Sequence, residues 1–341
     1  MENELPTHEE WSRLFEAATK VKALAPWEWM EEADLFGVQD PETGEVYYVS
    51  VMGTLGEHLA VAAYPGLKGL AGFWAMHEGM LRQTPEAFLL VPQLQVSFED
   101  RETLSSRDRQ LIKDTGFKFR GRQSWPQFRS WRPAHVPWYL EGWEARVLAH
   151  ILEQALDVAP RFAENPGLLS PGRNTYLVRT ARDASGVWLW QDSRQIVTAP
   201  PPDDIVIEID TGLFDRLRSL PLSKAAIEIG VSMLPSAVQD GDERPYYPYS
   251  VLLVDAKSGF ILATELLTPQ PSMVAMWGRL AEAVASKLAV YQKLPGKLKV
   301  GTELLAGLLQ PLSEELGLKV ELAQRLPALE EAQASMRSMW R

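Results

Sequence analysis

Tyr249-Ser250-Val251-Leu252-Leu253-Val254-Asp255-Ala256-Lys257-Ser258-Gly259-Phe260-Ile261-Leu262-Ala263-Thr264-Glu265-Leu266 is the stretch that decides the fold. Tyr249 to Val254 reads as a strand and Phe260 to Leu266 as its partner. The turn Asp255 to Gly259 between them is too short for anything but antiparallel pairing. Upstream, Ala225 to Leu234 reads as a further strand. Downstream, Ser272 can cap a helix whose Met273, Met276, Trp277, Leu280, Val284, Leu288 and Tyr291 recur at helical spacing. A short strand at Lys297 to Val300, a helix at Thr302 to Leu316 that can bend at Pro311, a strand at Leu318 to Leu322 and a final helix marked by Leu329, Ala332, Met336 and Trp340 complete the series. Helix-linked strands favour parallel crossovers.

This β-β-β-α-β-α-β-α order resembles that of ribonuclease-H-like domains. Active members of that superfamily hold two divalent metals with strand and helix carboxylates, so the resemblance directs attention to acids. Oxygen ligands suit Mg or Mn, and a metal pair can clamp a phosphoryl displacement. The nearest positions are Glu228, Glu282, Glu303 and Glu330 or Glu331. They depart from the pattern, because the first-strand acid is Glu and Val300-Gly301-Thr302 carries no Asp. A catalytically degenerate domain without a cofactor is the leading expectation. The alternative is a metal-dependent phosphodiesterase or nuclease using Glu228, Glu303 and Glu330. Asp255 reads as a turn residue, since an Asp before Lys257-Ser258-Gly259 can hydrogen-bond the backbone ahead of it.

Ala199-Pro200-Pro201-Pro202-Asp203-Asp204 cannot continue a helix or a central strand. It suggests a linker at 199–204 between a domain at 1–198 and a second at 205–341. Composition shifts there, since ten of the 12 Trp and all five His lie at or before Trp190. The first domain opens on a helix with Thr7 and Glu10 placed as a capping box. Three strands from Asp34 to Tyr64, a helix over Pro65 to Leu81, a strand over Phe88 to Phe98 and a helix over Ser105 to Thr115 follow. The start of that order matches the second domain, which leaves a diverged copy as one reading of the first, beside an unrelated α+β domain. A later helix over Trp143 to Val158 and a hairpin over Thr175 to Trp190 lie beyond it. The fold class expected is α+β in two domains.

The most unusual segment runs Lys118-Phe119-Arg120-Gly121-Arg122-Gln123-Ser124-Trp125-Pro126-Gln127-Phe128-Arg129-Ser130-Trp131-Arg132. It carries five basic residues and no acid in a chain of net charge −11. Arginine interleaved with aromatics can hold phosphate or stack on planar rings. Lys118, Arg120, Arg122, Trp125, Arg129 and Trp131 are therefore the expected ligand contacts. The opposing reading is an irregular loop anchored by Trp and Phe, whose arginines pair with surplus carboxylates. Pro26-Trp27-Glu28-Trp29 reads as a core cap or a docking edge. His58 and His77 lack metal-ligand spacing and read as structural.

Several classes drop out. Zero cysteines excludes disulfides, Cys-ligated metal and thiol catalysis. The acidic balance opposes a bulk electrostatic grip on nucleic acid or anionic lipid. Neither a P-loop nor a dinucleotide glycine pattern is present. No apolar run approaches the roughly 20 residues of a spanning helix, and a cytoplasmic protein without a secretory signal is expected.

Taken with Phe36-Gly37-Val38, Asp40-Pro41-Glu42-Thr43-Gly44, Val51-Met52-Gly53-Thr54-Leu55-Gly56-Glu57 and Leu326-Pro327-Ala328-Leu329, these segments resemble an uncharacterised bacterial family. Its members pair two domains, both of unknown function. The resemblance implies a bacterial origin and supplies no activity. The expectation is a non-enzymatic binding or interaction protein whose partner is a protein or an anionic ligand, with nucleic acid less favoured.

Overall fold

The computed structural model describes residues 4–80, 89–170, 172 and 174–339. Leu81, Phe88 and Trp340, at the ends of three expected elements, lie outside the described residues. The chain forms two compact units, one of residues 1–133 with 137–201 and one of residues 202–341 with 134–136. Both mix helix and sheet, so the class is α+β.

The first unit opens on α1 (His8–Leu24), where Thr7 Oγ1 accepts from the Glu10 amide and Glu10 Oε2 accepts from that of Thr7. Its strands are β1 (Phe36–Gln39), β2 (Val46–Met52), β3 (Ala60–Pro65), β4 (Gln93–Glu99), β5 (Trp125–Trp131), β6 (Thr175–Ala184) and β7 (Val187–Ile196). They form one sheet in the order β5-β4-β3-β2-β1-β6-β7, antiparallel except for the β1–β6 pair. The helices are α2 (Gly66–His77), α3 (Ser106–Asp114) and α4 (Gly142–Glu164).

Strand alternation sorts the side chains onto two faces. Val49, Val61, Val96 and Phe128 join Phe15, Leu148 and Leu152 in a core with α1 and α4. Tyr48, Ala62 and Tyr64 face the other way and pack with Leu70 and Phe73 of α2. Much of the tryptophan excess serves these cores. Trp27 is buried with its ring centroid 5.4 Å from that of Phe98, and Trp29 donates its indole N–H to Ala159 O at 3.0 Å. Both residues thus close the core rather than form a free edge.

The second unit contains α5 (Thr211–Arg218), β8 (Ala226–Met233), β9 (Tyr249–Asp255), β10 (Ile261–Leu267), α6 (Met273–Gly278), α7 (Leu280–Leu288), β11 (Lys297–Val300), α8 (Glu303–Leu308), α9 (Gln310–Leu316), β12 (Lys319–Leu322) and α10 (Pro327–Met339). Its sheet runs β10-β9-β8-β11-β12. β9 pairs antiparallel with β8 and β10, whereas β11 pairs parallel with β8 and β12. Residues 134–136 join this unit through backbone bonds from Tyr247 N to Ala134 O and Val136 N to Pro245 O. Asp255 Oδ1 accepts from the Lys257 and Ser258 amides at 3.2 and 2.7 Å, which makes it the turn residue its sequence suggested.

Two expectations need correction. The first unit does not repeat the second. β4 lies antiparallel beside β3, and the parallel place beside β1 is taken by β6, whereas β11 takes the parallel place beside β8. The long helix expected over Ser272 to Tyr291 is broken between α6 and α7. A Cβ on Gly278 would stand 2.3 Å from Val206 O, and Gly278 O accepts from the Glu208 amide at 2.9 Å. An incoming strand of chain thus occupies the helix surface at that point. Thr302 to Leu316 divides into α8 and α9 next to the proline where a bend was expected, with Pro311 in the first turn of α9, where its missing N–H costs nothing.

α10 is docked by a charge. Glu228 on β8 is 2% exposed, and its Oε2 accepts from the Leu329 amide at 2.9 Å. That amide lies in the first turn of α10, where N–H groups lack helical partners and a negative charge meets the positive end of the helix dipole. Next to it, a Cβ on Gly230 would come within 2.4 Å of Leu329 Cδ2. Glu228→Gln keeps an acceptor for this amide, whereas Glu228→Leu strands it at a cost of about 1–3 kcal/mol. We expect the Leu variant to lower the denaturant midpoint clearly more than the Gln variant, and to speed hydrogen exchange in α10. Equal loss in the two would show that the carboxylate does not cap the helix.

A basic pocket beside strand β5

The segment Lys118 to Arg132 is not one loop. Its second half is β5, an edge strand paired along its whole length with β4. Pro126 is tolerated because an edge strand can leave one side of its ladder unpaired. The first half is irregular and faces α3.

α3 is fixed by Ser105, whose Oγ accepts from the Asp108 amide at 3.0 Å while Asp108 Oδ2 accepts from Ser105 N at 3.1 Å. The same Asp108 carboxylate receives Arg129 in a two-pronged pair, Nη1 to Oδ1 at 2.9 Å and Nη2 to Oδ2 at 2.6 Å. Tyr139 stacks on both Arg129 and Arg107, at 4.7 and 3.8 Å from its ring centre. Burial would push the Asp108 carboxyl upward, but the Arg129 guanidinium outweighs it and holds Asp108 below its ordinary value of 3.8.

With α3 held there, Arg109, Lys113 and Arg101 face Lys118 and Arg120 across an open pocket of about 640 Å³. Ser106, Arg109, Gln110 and Lys113 are spaced i, i+3, i+4 and i+7, so α3 presents them as one stripe. Phe117, Phe119 and Trp125 supply the aromatic walls, and the Phe119 and Trp125 rings meet edge to face at 6.1 Å. Arg101 lies over the Trp125 ring at 5.7 Å. No Asp or Glu among the described residues lines the pocket. Among the described residues, Lys113, Lys118 and Arg120 have no ion pair.

The expected ligand contacts therefore separate into three groups. Lys118, Arg120 and Trp125 converge in the basic pocket. Arg129 and Trp131 face a different cleft, and the Arg129 charge is already answered by Asp108. Arg122 lines neither pocket; its side chain is 92% exposed and lies 3.6 Å from Asp100. Arg132, outside the expected set, pairs with Glu141 and Glu144. Arg109 and Lys113 were missed, because charges on a surface helix ordinarily read as a solvated face, and Arg101 because it stands in the turn after β4. The i, i+4 spacing of Arg109 and Lys113 toward an acid-free segment was the available signal.

The three glutamates of the metal-dependent alternative are not assembled. Glu228 is committed to the α10 amide, Glu303 is exposed in the first turn of α8, and Glu330 is exposed and pairs with Arg325 at 3.5 Å. Among the described residues no three His, Asp or Glu side chains form a set that could hold a metal ion.

The Asp108–Arg129 pair has a measurable signature. Asp108→Ala leaves a buried guanidinium without its partner, a change that costs about 3–5 kcal/mol. An Asp whose folded value is depressed stabilises fully above its ordinary value of 3.8 and loses that contribution as pH falls through the lower folded value. Acid titration of unfolding free energy should therefore show a fall below pH 3.8 that flattens in the Asp108→Ala, Arg129→Met double variant. The same fall in the double variant would reject the assignment.

Residues 11–179 match the family described as Domain of unknown function (DUF7309). Residues 213–337 match the family described as Domain of unknown function (DUF6930). No curated protein matches the chain. No helix among the described residues is long and apolar enough to cross a membrane. These two matches, in this order along one chain, fit an uncharacterised two-domain family.

Proposed function

We propose that this chain is a non-enzymatic binding protein whose first unit takes an anionic ligand, a phosphate-bearing molecule with a planar ring, in the pocket between α3 and Lys118–Trp125. The carrying observation is the wall itself: five cationic side chains and three aromatics around about 640 Å³ with no carboxylate among them. Arginine and lysine hydrogen-bond phosphate oxygens, and aromatic faces accept stacked rings. Volume supports a small ligand, since pockets for such molecules span about 300–1,000 Å³.

The second unit is read as a ribonuclease-H-like scaffold. In support, β8 lies at the centre of its sheet, with β9 and β10 antiparallel on one side and β11 and β12 parallel on the other. Its one deeply buried glutamate, Glu228, holds a helix amide, which supports a degenerate rather than a metal-dependent role. We take 199–204 as the linker, and on family likeness we place the protein in the bacterial cytoplasm.

Calorimetric titration with inorganic triphosphate and with ATP tests the pocket at 50 and 300 mM salt, concentrations chosen for the experiment on the order of the range where phosphate contacts weaken. We expect binding that weakens at the higher salt, is tighter for ATP, and falls at least tenfold in a Lys118→Ala, Arg120→Ala variant. Arg122→Ala, outside the pocket, should bind as the parent does. Equal loss in both variants, or no binding of either probe, would reject the site.

A further inference from the structure

The face of the first sheet opposite α1 and α4 is only partly covered by α2. Over β4 and β5 it opens into a cleft of about 650 Å³. Cross-strand partners line it in register, Gln93 with Trp131, Gln95 with Arg129 and Ser97 with Gln127. Gln93, Gln95 and Ser97 are each less than 9% exposed, which is unusual for polar groups on a strand near a sheet edge.

Their hydrogen bonds can be followed one by one. An indole N–H only donates, so Trp131 Nε1 at 3.1 Å fixes Gln95 Oε1 toward itself and turns the Gln95 amide nitrogen to His58. That nitrogen faces His58 Nε2 at 3.0 Å and, as an amide N–H, donates to it. Arg129 is neutralised by Asp108. Gln127 donates its amide nitrogen to Asp108 at 3.4 Å. The exposed His77 stacks on Phe73 at 5.6 Å.

Two features are left over. Gln93 is 8% exposed, and its Oε1 is buried with no hydrogen-bond partner. Leaving such an acceptor unmet is costly, and native structures rarely do so without reason. Glu32 and Glu99 also line the cleft and, among the described residues, have no ion pair. The buried unanswered atom is thus an acceptor, and the cleft adds two carboxylates to it beside Tyr64, Phe73 and the Trp131 ring.

We infer that this cleft is a second ligand site, distinct from the basic pocket, and that it takes a small organic cation: a primary ammonium group on an apolar body. The ammonium donates to Gln93 Oε1, with the Glu32 carboxylate on the same cleft wall, whereas Glu99, at the far end of β4 and about 20 Å from Gln93, marks the opposite end of the cleft. The apolar body rests against Phe73 and Trp131, where a cation beside an indole face gains further attraction. A free anion is not favoured here, because among the described residues the one guanidinium in the wall is already bound by Asp108.

The probe is 2-phenylethylamine, compared with its uncharged analogue 2-phenylethanol, added to the full chain while the Trp indole N–H signals are followed by NMR. A Trp131→Phe variant identifies the Trp131 signal. The amine should shift that signal in a saturable way and the alcohol at least fivefold more weakly. Gln93→Leu should weaken the amine at least fivefold, whereas Gln93→Glu, which adds charge at the same acceptor, should tighten it. Lys118→Ala with Arg120→Ala, in the other pocket, should leave it unchanged, so failure here is distinct from failure of the anion site. Equal shifts by amine and alcohol would overturn the inference, as would unchanged affinity in Gln93→Leu. Should Gln93→Leu fail to fold, absence of tightening in Gln93→Glu overturns it equally.

Discussion

The pair between Asp108 and Arg129 sets the functional geometry of the first unit. It ties α3 to β5 through two short hydrogen bonds, at 2.9 and 2.6 Å, in surroundings that exclude most water. A buried pair of this kind adds little net stability over an apolar substitute, yet removing one partner is severe. Its value lies in position. Asp108 also completes the capping box of α3, so one carboxylate fixes where the helix starts and which strand it meets. The stripe of Arg109 and Lys113 is thereby aimed at Lys118 and Arg120.

The same pair decides the chemistry of the cleft. Had Arg129 remained free, the groove over β4 and β5 would offer a cation to incoming ligands. With Arg129 spoken for and His58 accepting from Gln95, the cleft keeps an unmet amide oxygen and two carboxylates. In the proposed reading, two concave sites on one unit then take opposite preferences, and a single salt bridge stands behind both. The strand β5 contributes to both: Trp125 at its start belongs to the basic pocket, and Trp131 at its end belongs to the cleft.

Legibility in the sequence followed the locality of the cause. Thr7 with Glu10, and Asp255 ahead of Ser258, act within a few residues, and each forms the contact its spacing suggests. β5 alternates as a strand should, yet Pro126 and its arginines disguise it, because what makes it a strand is pairing with β4. The break between α6 and α7 depends on Val206, some 70 residues upstream, whose carbonyl fills the space at Gly278. No helical periodicity carries that information. Lys118, Arg120 and Trp125 stood out by composition, but Arg101, Arg109 and Lys113 gain meaning only once α3 is seated. Gln93 is the hardest case. A polar residue alternating with leucine and valine reads as solvent-facing, and only its burial without a partner marks it.

An acidic chain with an anion pocket involves no contradiction. A net charge of −11 describes the whole molecule, and it opposes the approach of an anion from afar. At physiological ionic strength that opposition decays over a screening length of about 8 Å. A ligand inside the pocket has five cationic side chains within reach and no carboxylate in the wall, so near charges govern it. The acidic surplus acts instead on choice. It disfavours long polyanions, which would lay many phosphates across an acidic surface, and leaves room for a short anion that fits within the wall. Net charge therefore constrains the size of the ligand more than its sign.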